Sequence, residues 1–224
     1  MQAASVNYRT YSLDFWGYGE TTRAAEFYSL NGQMALLDGF LEQMGIGRVA
    51  LIGHGLGALV ALNYTIQYPQ YVDRVMTIAC PANLTSINPK AKTATNSELA
   101  DLIVPKETEF DAIRSDAAKA DKTVLQASLD GLQDGLLTEF WSQSERVCLF
   151  VHGEQDSFVL PPSEDQLSQL PALSHAIQFE TSGHFPMLDQ TNRFHRLLID
   201  FLTLESGESP RELQVKDEWK RRVR

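Results

Sequence analysis

This chain is poor in cysteine, has no excess of positive charge and contains no long apolar run. Cys80 and Cys148 are its only cysteines. Both fall at or within apolar segments that read as buried strands, so reduced thiols packed in a core are expected. No spacing of cysteine and histidine suggests a metal site. Lysine and arginine number 19 against 29 aspartates and glutamates, a formal net charge of −10. That balance disfavours nucleic acid and anionic membranes as partners. No apolar stretch approaches the roughly 20 residues needed to cross a bilayer. The residues after Met1 are polar and carry no leader pattern, so a cytoplasmic setting is expected. No internal repeat is visible. What the chain does have is 43% hydrophobic residues in 224 positions, enough for one core with a small insertion.

Periodicity organises the remainder. Val6 to Leu13 reads as a strand, enriched in Tyr, Thr and Val. Leu30, Met34, Leu37, Leu41 and Met44 recur at helical spacing, and Gly45 and Gly47 stop that helix. Val49–Ile52 is short and continuously apolar, as a strand buried on both faces would be. A helix follows over Gly57–Tyr68 and ends at Pro69. Val75–Ala79, Val147–Val151 and Ala176–Phe179 read as further strands, with helices at Ser163–Leu170 and Asn192–Leu204. Strands alternating with helices imply a mostly parallel, doubly wound α/β sheet. From Pro81 to Ser144 the rhythm breaks into an Ala-, Asp- and Lys-rich stretch with helical segments near Glu107–Lys119 and Val124–Leu132. After Leu204 the composition shifts again, to a tail ending in Lys220-Arg221-Arg222-Val223-Arg224. A solvated or surface-docked tail is expected there.

The segment Val49-Ala50-Leu51-Ile52-Gly53-His54-Gly55-Leu56-Gly57 is an apolar run, a glycine-punctuated turn and the start of a helix. With a serine at 55 it would be G-x-S-x-G, the strand–turn–helix nucleophile elbow. Asp156 follows the Val147–Val151 strand, and His184 lies in Thr181-Ser182-Gly183-His184-Phe185-Pro186. Asp14-Phe15-Trp16-Gly17-Tyr18-Gly19-Glu20-Thr21 has the form D-x-x-G-x-G-x-S/T. On these motifs, in this order, the chain resembles the α/β-hydrolase superfamily, of the lidded esterase and C–C hydrolase type, from about Val6 to about Leu204.

The resemblance implies a hydrolase core over residues 1–80 and 145–204, a short helical cap over 81–144, and a basic tail over 205–224. It implies that Asp156 orients His184, that His184 is the general base, and that Gly55 stands where the serine nucleophile would be. The amide of Leu56 would serve as one oxyanion donor, and His54, Trp16 and Phe185 would line the pocket. No cofactor or metal is implied; a small apolar or ester-like molecule would be the ligand. Set against the family, the chain lacks the first three strands and the oxyanion loop. The strand at Val6–Leu13 would then pair directly with Val49–Ile52 or with a partner chain, and open edges could support self-association.

Three alternatives stand beside this reading. A water activated by His184, or the thiol of Cys80, could replace the missing nucleophile. The chain could be a non-catalytic binding or interaction protein that keeps the pocket. Finally, Gly53-x-Gly55-x-x-Ala58 after a strand also fits a dinucleotide-binding fingerprint, with Asp73 at the spacing of the ribose-binding acid but before, not at the end of, the next strand.

Overall fold

Four runs of mostly apolar residues become strands: β1 (Val49–His54), β2 (Val72–Ile78), β3 (Val147–Gly153) and β4 (Ser174–Phe179). In this computed structural model, which describes residues 2–106, 110–121, 123–130, 132 and 145–215, they form one sheet. The strand order is β1-β2-β3-β4 and every neighbouring pair is parallel. Parallel neighbours need crossovers, and helices supply them. In chain order the α-helices of the described residues are α1 (Gln2–Ser5) and α2 (Leu30–Gln43) before β1, then α3 (Leu56–Gln67), α4 (Asn96–Ile103), α5 (Asp111–Lys119), α6 (Val124–Asp130) and α7 (Glu164–Ser168) between strands, and α8 (Pro186–Asp189) and α9 (Thr191–Thr203) after β4.

The side-chain period of two sorts the strands onto two cores. Val75, Cys148 and Phe150 face one side with Leu51, and are covered by Leu30, Met34 and Leu41 of α2 and by Leu59 and Leu62 of α3. Met76, Ile78, Leu149 and Val151 face the other side and meet Phe194, Leu197, Leu198 and Phe201 of α9. Each such buried side chain contributes roughly 1.5–3 kcal/mol. The helix α2 starts where Ser29 Oγ accepts the Gly32 amide at 3.1 Å and ends before Gly45, which takes a φ of 65°. By contrast α3 is buried nearly all round, from Ala58 to Thr65, as a helix wedged between sheet and α2 must be.

Several expectations need correction. Val6–Leu13 is not a strand. Backbone N–H and C=O groups make a strand only against a neighbour, and among the described residues β1 pairs with β2 alone. The expected direct pairing with Val49–Ile52 is therefore not formed. Side chains hold the segment instead: Tyr8 Oη–H donates to the Leu202 carbonyl at 3.0 Å, and the Tyr11 ring packs edge-on to Phe40. Nor is β1 buried on both faces. Leu51 is 8% exposed but Ile52 is 43% exposed, because α9 does not extend over this edge strand.

Between β2 and β3, the described part of the insertion holds α4, α5 and α6. The expected helix near Glu107–Lys119 is Asp111–Lys119; residues 107–109 and 133–144 lie outside the described residues. The base of the insertion is laced to the loop after β3. Ile87 forms an antiparallel bridge with Val159, the Asn88 amide donates to Phe158 O at 2.8 Å and the Leu160 amide to Ser86 O at 2.8 Å. The tail is docked rather than solvated as far as residue 215. Leu213 and Val215 pack on the α9 core, and Arg211 donates to the Leu170 and Pro171 carbonyls. The basic end Lys220–Arg224 lies outside the described residues.

At the β1–α3 turn, a Cβ on Gly53 would overlap the Gly57 carbonyl oxygen, whereas one on Gly57 would rest 3.7 Å from a Phe15 ring carbon. Gly53→Ala should therefore lower stability by about 2–3 kcal/mol. Gly57→Ala, in a helix that favours alanine, should cost nothing or add a few tenths. Urea midpoints of the two variants check the contrast; equal midpoints would contradict the close approach.

Candidate active site

All four strands run the same way, so the loops after β1, β2, β3 and β4 gather at one edge of the sheet. That is the edge where open α/β sheets place their sites. Gly55, Asp156 and His184 all lie in these loops.

The turn after β1 is held by the Gly55 amide, which donates to Ile78 O at 2.9 Å. Gly55 has φ 53° and ψ −115°, a conformation that residues with a Cβ adopt only under strain. Among the described residues beyond its chain neighbours, a Cβ built there meets one atom within 4 Å, His184 Nε2 at 3.7 Å. An oxygen carried on that carbon would come within hydrogen-bond reach of the imidazole. The first turn of α3 begins at Leu56, whose amide has no acceptor within the helix, as for every first-turn amide. The structure thus brings together Gly55, Leu56, His184 and Asp156.

Asp156 is held on both oxygens. Oδ1 accepts the amides of Phe158 at 2.8 Å and Val159 at 3.0 Å; Oδ2 accepts Nδ1–H of His184 at 2.8 Å. The carboxylate is 4% and the histidine 5% exposed. Burial raises the Asp156 pKa, but the His184 hydrogen bond and charge together with the two amides outweigh it, leaving the carboxyl below its ordinary range. Asp156 is therefore ionised at neutral pH, and its hold on Nδ1 turns Nε2 of His184 towards Gly55.

His184 is clamped as well as oriented. Its carbonyl accepts Nε2–H of His54 at 2.9 Å. Its ring meets the rings of His54 at 4.6 Å, Phe158 at 5.2 Å and Phe185 at 5.2 Å. The preceding loop is pinned where the Gly183 amide donates to Asp189 Oδ2 at 2.8 Å and Gln190 Nε2–H to Ser182 Oγ at 2.8 Å. A Cβ on Gly153, at the end of β3, would overlap the Gly183 carbonyl, so the loops carrying the acid and the base touch.

His54 supports the base rather than lining a pocket, and burial, then the charge of His184, lowers its pKa to about 3. Phe185 packs on both histidines. Trp16 lies elsewhere. Its ring stacks on Phe27 at 5.2 Å and its backbone is clamped by the Gln33 side chain. It lines a surface groove of about 340 Å³ with Leu13, Phe27, Ala35, Leu36 and Phe40, apart from the acid and base. Phe15, not Trp16, approaches the elbow. The loop Asp14–Thr21 has the expected form: Asp14 Oδ2 accepts the Glu20 amide, Thr21 Oγ1–H donates to Asp14 O, and Gly17 and Gly19 take φ 80° and 51°.

Two alternatives fail on geometry. Cys80 is 2% exposed and burial pushes its thiol up to about 12, so it supplies no thiolate. Asp73 sits at the start of β2, opposite the turn, and is bound to Arg48, Arg74 and Ser206. It cannot reach a ribose held at the start of α3. Among the described residues no cluster of ligating side chains could hold a metal, and no helix is long and apolar enough to cross a membrane.

Sequence reasoning missed Phe158 and His152. Phe158 lies two residues beyond Asp156 and is no part of the motifs singled out. His152 is 3% exposed in β3 and neither ring nitrogen has a hydrogen-bond partner among the described residues.

Comparison with known proteins bears on the family and the fold. A family model described as "Alpha/beta hydrolase family" matches residues 2–197. A pimeloyl-acyl-carrier-protein methyl ester esterase of Vibrio cholerae is 24% identical over 226 residues, covering 90% of this chain and 87% of its own. A 2-hydroxy-6-oxo-2,4-heptadienoate hydrolase of Pseudomonas putida is 22% identical, covering 92% and 82%. Among solved structures, a meta-cleavage product hydrolase from Pseudomonas fluorescens superposes with a TM-score of 0.70 at 21% identity, covering 90% and 82%. An esterase from Exiguobacterium antarcticum gives 0.73 at 18%, covering 85% and 80%. At these identities the structures show a shared fold.

Burial lowers the pKa of His152 to about 4 and that of His54 to about 3. Both are neutral when folded and take up protons on unfolding below their ordinary value near 6.5. Stability should therefore be full above about pH 6.5 and fall as the pH drops towards 4, by up to about 3 kcal/mol per histidine. His152→Phe should show a shallower loss over that window in urea titrations; an unchanged slope would contradict the burial argument.

Proposed function

Starting from the fact that this chain belongs to the alpha/beta hydrolase family, we propose that it retains the acid and base of an ester or acyl hydrolase but not the covalent step. Asp156 orients His184, His184 is the base, the Leu56 amide faces the reacting oxygen, and Gly55 occupies the nucleophile position. The observation that carries this reading is the Nε2 of His184, 3.7 Å from where a side chain at 55 would begin. Glycine offers no hydroxyl, so no acyl-enzyme forms at 55. The ligand is a small apolar or ester-like molecule, in keeping with an esterase and a hydrolase among the relatives. Gly55 itself favours a second reading, a binding or interaction protein that uses the same pocket without chemistry.

Gly55→Ser tests the assignment. The new hydroxyl should be labelled by a fluorophosphonate probe, while the parent chain and the double variant Gly55→Ser/His184→Ala stay unlabelled. Serine must adopt the positive φ that glycine tolerates, so the variant should also lose about 1–3 kcal/mol of stability. A folded but unlabelled variant would remove Gly55 from the nucleophile position.

A second measurement separates the two readings. With p-nitrophenyl acyl esters in plain buffer the parent chain should turn over close to the buffer rate. Turnover well above buffer that disappears in His184→Ala would show that the chain hydrolyses esters without a side-chain nucleophile.

A further inference from the structure

We infer that the open edge of β1 is a docking site for an uncharged polypeptide strand supplied by another molecule, which extends the sheet through main-chain hydrogen bonds. The inference is independent of the chemistry proposed for His184. At the end of β1 the Gly55 amide donates inward, to Ile78 O at the end of β2. Main-chain groups alternate in direction along a strand paired on one side. The amides and carbonyls of Gly53 and Leu51 therefore also point to β2, and those of Ala50, Ile52 and His54 point to the open side. Among the described residues the main chain of Ala50, Ile52 and His54 makes no hydrogen bond on that side. The irregularity in the β1–β2 register falls between Val49 and Ala50, at the start of this run.

The geometry of the edge selects its occupant. Outward groups recur at every second residue, about 6.6 Å apart. An extended backbone matches that repeat and a helix does not. Sheets usually protect such an edge with lysine, proline or a covering segment. The run Val49-Ala50-Leu51-Ile52-Gly53-His54 contains neither lysine nor proline. It is the near-continuous apolar kind of run that parallel sheets place between two neighbours. The chain from Arg9 to Leu13 does not cover it, and the main chain of those residues makes no hydrogen bond among the described residues. Ile52 is 43% exposed, and Val49 and Ala50 are half-buried. A strand seated here covers Ile52, so uncharged, β-branched side chains suit it. A second copy suits the edge less, because each copy carries a formal net charge of −10 and the two repel.

The test is a fluorescein-labelled, end-blocked peptide, Thr-Val-Thr-Val-Thr-Val-Lys-Lys, titrated with the parent chain and read by fluorescence anisotropy. Saturable binding is expected. The same peptide with every amide of its Thr-Val run methylated keeps its charge and side chains but loses its donors, and it should not bind. Ile52→Pro removes an outward amide and no bond to β2. Confirmed folded by circular dichroism, it should bind the peptide about tenfold more weakly, the effect of one lost hydrogen bond. Ala50→Pro removes another outward amide and takes its place if Ile52→Pro does not fold. Failure of the peptide to bind the folded parent chain would overturn the inference. Equal binding of the methylated peptide, or undiminished binding by the folded proline variant, would also overturn it, because the peptide would then be held by charge or at another site. Sedimentation that shows a dimer of the parent chain and a monomer of the proline variant would overturn it too, by giving the edge to a second copy.

Discussion

The site depends on one constraint, the sharpness of the turn between β1 and α3. For the helix to start directly above the strand, the Gly53 backbone must approach the Gly57 carbonyl closer than any Cβ would allow. The residue between them must also take a φ of 53°. The turn aims position 55 out of the sheet edge and sets the first amides of α3 beside it. Were the turn wider, α3 would shift along the sheet, and the helix that contributes more buried residues to the first core than any other described element would lose its fit. Packing and site geometry therefore rest on the same few atoms. Glycine at 55 suits that fold: it meets the backbone requirement without strain.

Asp156 and His184 are held from several sides. Both carboxylate oxygens of Asp156 are used, and three rings and a hydrogen bond hold His184. Such a buried pair is expensive to keep if one partner drifts away. Its members also serve stability: the Asp156 carboxylate organises the loop that carries Phe158 and Val159, and the His184 carbonyl satisfies buried His54. The pair is thus part of the framework of the loops that carry it.

Legibility in the sequence followed how local each signal was. Helices α2 and α9 were plain from apolar spacing, since one face of each is buried. The elbow was plain because its glycines answer to steric demands within five residues. Asp156 and His184 were legible through their order after strands. The Val6–Leu13 strand was misread because Tyr, Thr and Val describe a side chain's fit to a pleated surface, not the presence of a neighbour. Trp16 was misplaced by one residue: Phe15 turns to the elbow while Trp16 turns to α2, a choice set by the Gln33 clamp. His152 was invisible because a histidine inside an apolar strand carries no motif.

The ladder between residues 86–88 and 158–160 has a mechanical consequence. Its two amide hydrogen bonds and the Ile87–Val159 bridge splice the root of the insertion onto the loop that holds Asp156. Any swing of α4 to α6 must pivot beyond that splice, near Thr93–Thr95, where the first capped helix of the insertion begins. The splice acts as a strain relief: the distal helices can be reshaped, lengthened or replaced over evolutionary time without their leverage reaching the carboxylate. In this chain the described helices of the insertion are insulated from the loop that carries Asp156.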